Sequence, residues 1–253
     1  MSLGAIAERV QKGDPDRYLA TMAVPPALRG DLLTLYALNL EAARAPWASK
    51  ETMICEMRLQ WWRDVIAAAS PCAHEVAGPA HALIQRRGLP VTMMDEMIGA
   101  RIWDIYSDPF EDQAGFDRYI DQTSGHLMWL AALICGADAR AEAAVRDFAY
   151  ASGLANYLRA LPELEARGRR PLVDGRAAAV QELARAGLAR LQAARAGRGQ
   201  IGAASLALLP GWQAGALLEQ VVADPLRVAD GTLGMSEFRR RGTLAWAALS
   251  GRF

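Results

Sequence analysis

Lysine is nearly missing from this chain: Lys12 and Lys50 are the only two among 28 basic residues. The 28 bases are balanced by 28 acids, so the formal charge is zero and the pI lies near 6.8. A chain without an excess of either sign has no overall field to gather nucleic acid, and no nucleic-acid partner is expected. Cysteine is scarce as well. Cys55, Cys72 and Cys135 are odd in number and lack CxxC spacing, which argues against a disulfide framework and for a reducing, cytoplasmic compartment with the three as small buried hydrophobes. No charged-then-apolar leader opens the sequence, and the longest apolar run, 127–137, is too short to cross a bilayer. His74, His81 and His126 lie far apart, and with them no metal site is expected. GxSxG, GxGxxG and P-loop spacings do not occur.

Strand signatures are absent too, and what fills the chain is helical period. Asp14-Pro15 reads as an N-cap with proline at the first helical position, opening a short helix that Val24-Pro25-Pro26 breaks. A longer helix follows to about residue 45, with Leu28, Leu32, Leu35, Asn39 and Ala42 on one side, and Pro46 ends it. Ser49 is placed to cap a helix to about 69, and Thr92, with Asp95 in a capping box, another through Trp103. Between them lie a loop, 71–79, and a short helix, 80–87. The acidic stretch holding Asp104, Asp108, Glu111 and Asp112 reads as a solvated turn. Long helices are expected at 116–135 and 138–161, parted at Gly136, and another from Asp174 with the stripe Val180, Leu183, Leu188, Leu191. Shorter ones are expected at 203–209, 211–222 and 235–249. Nothing divides the chain, so residues 1–253 are expected to form one all-α domain.

Residues 151–173, ASGLANYLRALPELEARGRRPLV, carry most of the functional information. Gly153, Asn156 and Ala160 share a helical face, and Ala160 and Leu164 would stack at i,i+4 if the helix continued. Pro162 lacks an N–H and clashes with the preceding turn, so the helix is expected to stop at Leu161. The stretch resembles, without a gap, the second signature of the squalene/phytoene synthase family, roughly TNILRDVGEDxRRGRxYLP. Asn156, Leu158, Arg159, Glu163, Arg167, Gly168, Arg169 and Leu172 fall on it. Ala160 and Leu164 stand where that signature has its aspartates.

The first aspartate motif of the family, in a context like YAFCRxADDxxDE, is matched by LLTLYALNLEAARAPW at Tyr36, Ala37 and Ala42. Ala43, Arg44 and Trp47 take the aspartate positions, and Glu41 is out of phase. A magnesium–diphosphate site needs hard oxygen ligands at i,i+4 on facing helices, and these side chains do not offer them. RLQWWRDVI resembles the family's LxxWRxxL helix at Leu59, Trp62 and Arg63; core packing with Arg63 paired to a carboxylate is the plainer reading. ARIWDI is similar to the helix that reads GMxxDL, keeping Asp104.

Taken in order, YALNLEAARA, MRLQWWRDVI, TSGHLMWLAALICG and GLANYLRALP look like a non-catalytic branch of the family, which includes a mitochondrial assembly factor for respiratory complex I. That resemblance implies an isoprenoid-synthase bundle of antiparallel helices around a central cavity. It implies a chain without catalytic residues or a metal cofactor, serving as an accessory factor for complex I subunits or intermediates. An isoprenoid-like lipid would lie between Tyr36, Trp62 and Asn156, with Arg63 or Arg159 for a phosphate. The alternative is an active prenyltransferase that binds Mg²⁺ through the displaced carboxylates Glu41, Asp104 and Glu163. Arg239-Arg240-Arg241, with Phe238 and Trp246, reads as a solvated helix face or, alternatively, as peripheral contact with the inner membrane.

Overall fold

The computed structural model describes residues 3–251, and among these there is no strand. The helices are α1 (Leu3–Gly13), α2 (Pro15–Met22), α3 (Pro26–Arg44), α4 (Thr52–Ala67), α5 (Ala77–Arg87), α6 (Val91–Gly99) and α7 (Gln113–Ile120). They continue as α8 (His126–Ile134), α9 (Glu142–Ala166), α10 (Ala177–Ala196), α11 (Arg198–Ile201), α12 (Ala214–Ala223), α13 (Leu226–Ala229) and α14 (Glu237–Ser250). The two ends of the expected 1–253 span, residues 1–2 and 252–253, lie outside the described residues.

Two helices form the middle of the bundle. From Leu32 to Leu40 every residue of α3 is buried, and α9 buries thirteen of its residues, among them Phe148, Leu154 and Leu158. A helix apolar on most of its circumference must be surrounded. Accordingly α3 meets α1, α2, α5 and α8, while α9 meets α8, α10 and α12. One apolar core joins these layers, from Ile6 in α1 to Ala247 in α14. No single described helix is long and apolar enough to cross a membrane.

Several local signals act as the sequence suggests. Asp14 accepts a hydrogen bond from the Arg17 amide (2.9 Å) with Pro15 at the first turn, and α3 ends at Arg44 before a 3₁₀ turn, Ala45–Trp47. Others do not. Ser49 is no N-cap: its hydroxyl accepts from the Glu51 amide in a turn ahead of α4. Pro90, not Thr92, stands before α6, because Asp95 turns away to Arg63. The start of α5 reaches back to Ala77, where the imidazole Nδ1 of His74 accepts from the amides of Val76 and Ala77. That places Pro79 in a first turn, where its missing N–H is harmless.

The largest departures surround the signature stretch. α9 does not stop at Leu161 but runs through Pro162 to Ala166. A proline inside a helix costs about 3 kcal/mol, yet Leu158 and Leu161 are buried before it and the helix end is locked after it. That lock is a Schellman closure. The Arg169 amide donates to the Leu164 carbonyl (3.1 Å) and the Gly168 amide to Glu165 (2.8 Å), with Gly168 at φ +78°, a conformation that glycine adopts without strain. Between α7 and α8 the chain makes a π turn, Asp121–Gly125. It presses on α9 at Gly153, where a Cβ would fall 2.5 Å from the Ser124 hydroxyl.

Candidate functional site

A cleft of about 730 Å³ opens between α2, α3, the π turn and α9. Ala43 from α3 and Ala160 from α9, two of the five positions that the resemblance sets against aspartates, both line it. Asn156, Arg159 and Glu163 join them, one helical turn apart along α9. Tyr36 is buried in a small recess that shares Arg17 and Asn156 with this cleft. Burial pushes its phenol up from the ordinary tyrosine range, so it stays protonated at neutral pH.

The carboxylates of the cleft are engaged by arginine. Asp14 pairs with Arg17, and Glu163 with Arg167. Asp16, at the head of α2, accepts from Gln213 (2.9 Å), from Arg240 of α14 (2.9 Å) and, at 3.4 Å, from Arg159. On the far side Arg101 and the Tyr119 hydroxyl, itself a donor at 2.9 Å, converge on Asp104. Burial first, and then the Asp104 charge, hold the Tyr119 phenol well above its usual range. Asp104 is therefore a buried hub and not part of a solvated turn; it is 5% exposed, whereas Asp108, Glu111 and Asp112 remain at the surface.

Three polar atoms on cleft residues are buried without a hydrogen-bond partner among the described residues: Asn39 Oδ1, Arg101 Nε and Arg240 Nε. Asn39 is 4% exposed, and an unsatisfied buried amide oxygen costs about 1–3 kcal/mol unless something donates to it. Four arginines, Arg17, Arg101, Arg159 and Arg240, are among the residues lining the cleft, and their charge suits a ligand with an anionic head.

Two of the other three positions carry apolar side chains. Trp47 lies beneath the guanidinium of Arg167, 4.4 Å from the ring centroid, with that of Arg169 at 5.0 Å. Arg169 is buried and donates to the carbonyls of Trp103, Asp104 and Tyr106. Leu164 packs against the apolar core. Magnesium does not fit this donor set. The five positions carry Ala, Arg, Trp, Ala and Leu, the acids lining the cleft are tied to arginines, and no group of three His, Cys, Asp or Glu among the described residues is placed to hold an ion.

Trp62, Glu41 and Arg63 do not join Asn156, contrary to the expected grouping. Trp62 and Glu41 line a second groove of about 670 Å³ with Trp47, Met57 and Trp61. There Trp62 stands edge-on to Trp61 and His74 at 4.7 and 5.3 Å, and Glu41 is held by Arg9. Arg63 lines neither cleft; it grips Asp95 with two bonds, at 2.6 and 2.8 Å. The thiols divide as well: Cys55 and Cys135 are buried, but Cys72 is exposed, not a core residue. Asp16, Arg17, Asn39, Arg101 and Arg240 belong to the site and were not singled out for it in the sequence. The Asp14-Pro15 cap, the apolar stripe of α3, the ARIWDI segment and the run Arg239-Arg240-Arg241 touched them, and none of these signals places them at this cleft.

The model of the squalene/phytoene synthase family matches residues 10–173. Assembly factor 6 of NADH dehydrogenase (ubiquinone) complex I from Bos taurus is 26% identical over 166 residues, covering 64% of this chain and 50% of that protein. The Homo sapiens protein is 24% identical over 159 residues, covering 61% and 48%, and the Drosophila melanogaster homologue 28% over 178, covering 65% and 52%. The chain thus spans about half the length of the curated relatives it matches. Among solved structures, a dehydrosqualene synthase superposes with a TM-score of 0.81 over 98% of this chain and 95% of its own, at 14% identity. A squalene synthase from Alicyclobacillus acidocaldarius gives 0.59 over 99% and 95%, at 18% identity. At such identities the superpositions speak for the fold alone, a terpenoid-synthase-like helical bundle. With the family model matched across most of the chain, from α1 to the end of the signature stretch, this protein belongs to the squalene/phytoene synthase family.

Proposed function

We propose that this protein is a catalytically silent member of its family and works as an accessory factor in the assembly of respiratory complex I. One observation carries the first half: Ala43 and Ala160 occupy the cleft where the family's magnesium carboxylates belong, and the acids left there are paired with arginines. Similarity to complex I assembly factors over some 160 residues supports the second half.

The same cleft keeps a ligand in this reading. Leu40, Ile120 and Leu127 supply an apolar wall, while Arg17, Arg101, Arg159 and Arg240 bring positive charge to the lining. An isoprenoid-like chain with an anionic head matches both.

Two measurements test the proposal. The purified chain is incubated with Mg²⁺ and farnesyl or geranylgeranyl diphosphate, and no diphosphate release above background is expected. Turnover that Glu163→Ala abolishes would establish the prenyltransferase alternative instead. In a deletion strain of the source organism, assembled complex I is expected to fall and to return with the wild-type gene. Unchanged complex I would remove the assembly role and leave the silent-cleft reading standing.

A further inference from the structure

Outside the matched family region, α14 carries the two most exposed large apolar side chains among the described residues, Phe238 and Leu249. On α14, Phe238 is 90% exposed, Leu249 88% and Trp246 62%. The helix is attached by its opposite face, through buried Leu244 and Ala247 and through Arg240, which reaches Asp16. At 100° per residue, Phe238, Gly242, Ala245, Trp246 and Leu249 fall on one stripe pointing away from the bundle. Arg239 flanks that stripe on one side and Arg241 on the other. Arg239 has no ion pair among the described residues, and Arg241 touches only Glu237, at 3.5 Å. Ser236 caps the start and Gly251, at φ +60°, closes the end, so the helix is already formed before anything covers it.

We propose that α14 is a membrane-docking helix that lies flat in the interface of an anionic phospholipid bilayer. Three bulky side chains project from the outer face of a single helix between two arginines, and the apolar boundary of an anionic bilayer is the surface they match. Phe, Trp and Leu enter the headgroup–acyl boundary while arginines on both flanks reach up to lipid phosphates. With 14 residues the helix is about 21 Å long, short of a hydrocarbon core of about 30 Å, so it lies in the plane. Because the chain as a whole is neutral, this local array must supply the attraction. The inference stands apart from the complex I reading and from the occupancy of the cleft.

The test is co-sedimentation of the full chain with vesicles of phosphatidylcholine alone or of phosphatidylcholine mixed with phosphatidylglycerol. Binding is expected only to the anionic vesicles, and to weaken with added salt. The variant Phe238→Ser/Trp246→Ser/Leu249→Ser is expected to lose binding while melting like the parent, since all three side chains are exposed. Arg239→Gln/Arg241→Gln is expected to lose about fivefold in partitioning per arginine. No sedimentation with anionic vesicles, or binding that survives the triple serine variant, overturns the proposal. So does a parent dimer that the triple variant dissociates, because the stripe would then belong to a second copy of the chain.

Discussion

Two pairs of positions that the family resemblance sets against aspartates have different surroundings in this fold. Ala43 and Ala160 line an open cleft. Trp47, still 37% exposed, lies against two guanidinium groups, and Leu164 packs partly buried against the core. A small side chain at such a position leaves room, whereas a large one takes part of that room for contacts of its own. Beside that second pair, the matched residues of the signature have structural work of their own. Gly168 makes the Schellman closure and Arg169 fastens the segment after α9 to three carbonyls, tasks that folding needs with or without a metal.

The sharpest way to break this contrast is Arg169→Met. Three carbonyls would lose a charged donor in a buried place, and a loss of about 3 kcal/mol or more is expected in urea unfolding. An unchanged midpoint would show that the filled layer is not structural. Gly153→Ala comes next. It drives a methyl into Ser124 of the π turn and Ile120, an overpacking worth about 1–3 kcal/mol by the same measurement. Trp47→Asp restores an acid but removes the surface on which Arg167 and Arg169 lie, with an expected loss of about 1 kcal/mol.

The hollow pair should behave in the opposite way. Ala43→Asp/Ala160→Asp adds carboxylates where there is room, so stability without metal should change by no more than about 0.5 kcal/mol per site. Magnesium is then expected to raise the melting temperature of the double variant more than that of the parent. A double variant no more responsive than the parent would mean that geometry, and not only the missing oxygens, has left the metal site.

Much of the fold was legible because its signals are local. The Asp14-Pro15 cap, the stop at Pro46 and the break at Gly136 each depend on a few neighbouring residues. The passage of α9 through Pro162 was not legible, since packing on both sides of the proline decides it. Within the site, Asn156, Arg159 and Glu163 follow from helical spacing on α9, but Asp16 and Arg240 meet across 224 positions and share no pattern. Trp62 and Arg63 went astray for a simpler reason. Consecutive residues on a helix point about 100° apart, so the tryptophan reaches the second groove while the arginine turns to α6.

That Arg63–Asp95 bridge gives the smallest effect and a useful control, because it lies outside both halves of the contrast. The hydrogen bonds from Arg63 hold the Asp95 carboxyl below its usual range, against a smaller effect of burial. A depressed folded-state pKa stabilises above the unfolded value, about 3.9, and that contribution disappears as pH falls through the folded value. Both side chains are about one-third exposed, at 34% and 38%, so solvent screening keeps the contribution small. Arg63→Met should therefore melt slightly below the parent at neutral pH, and the two curves should converge in acid. If the gap instead stays constant down to pH values below the carboxylate range, Arg63 works through its aliphatic stem against α4 and α6 and not through its charge. The family-like WR pair would then be a packing motif in this chain, as Trp62 already is.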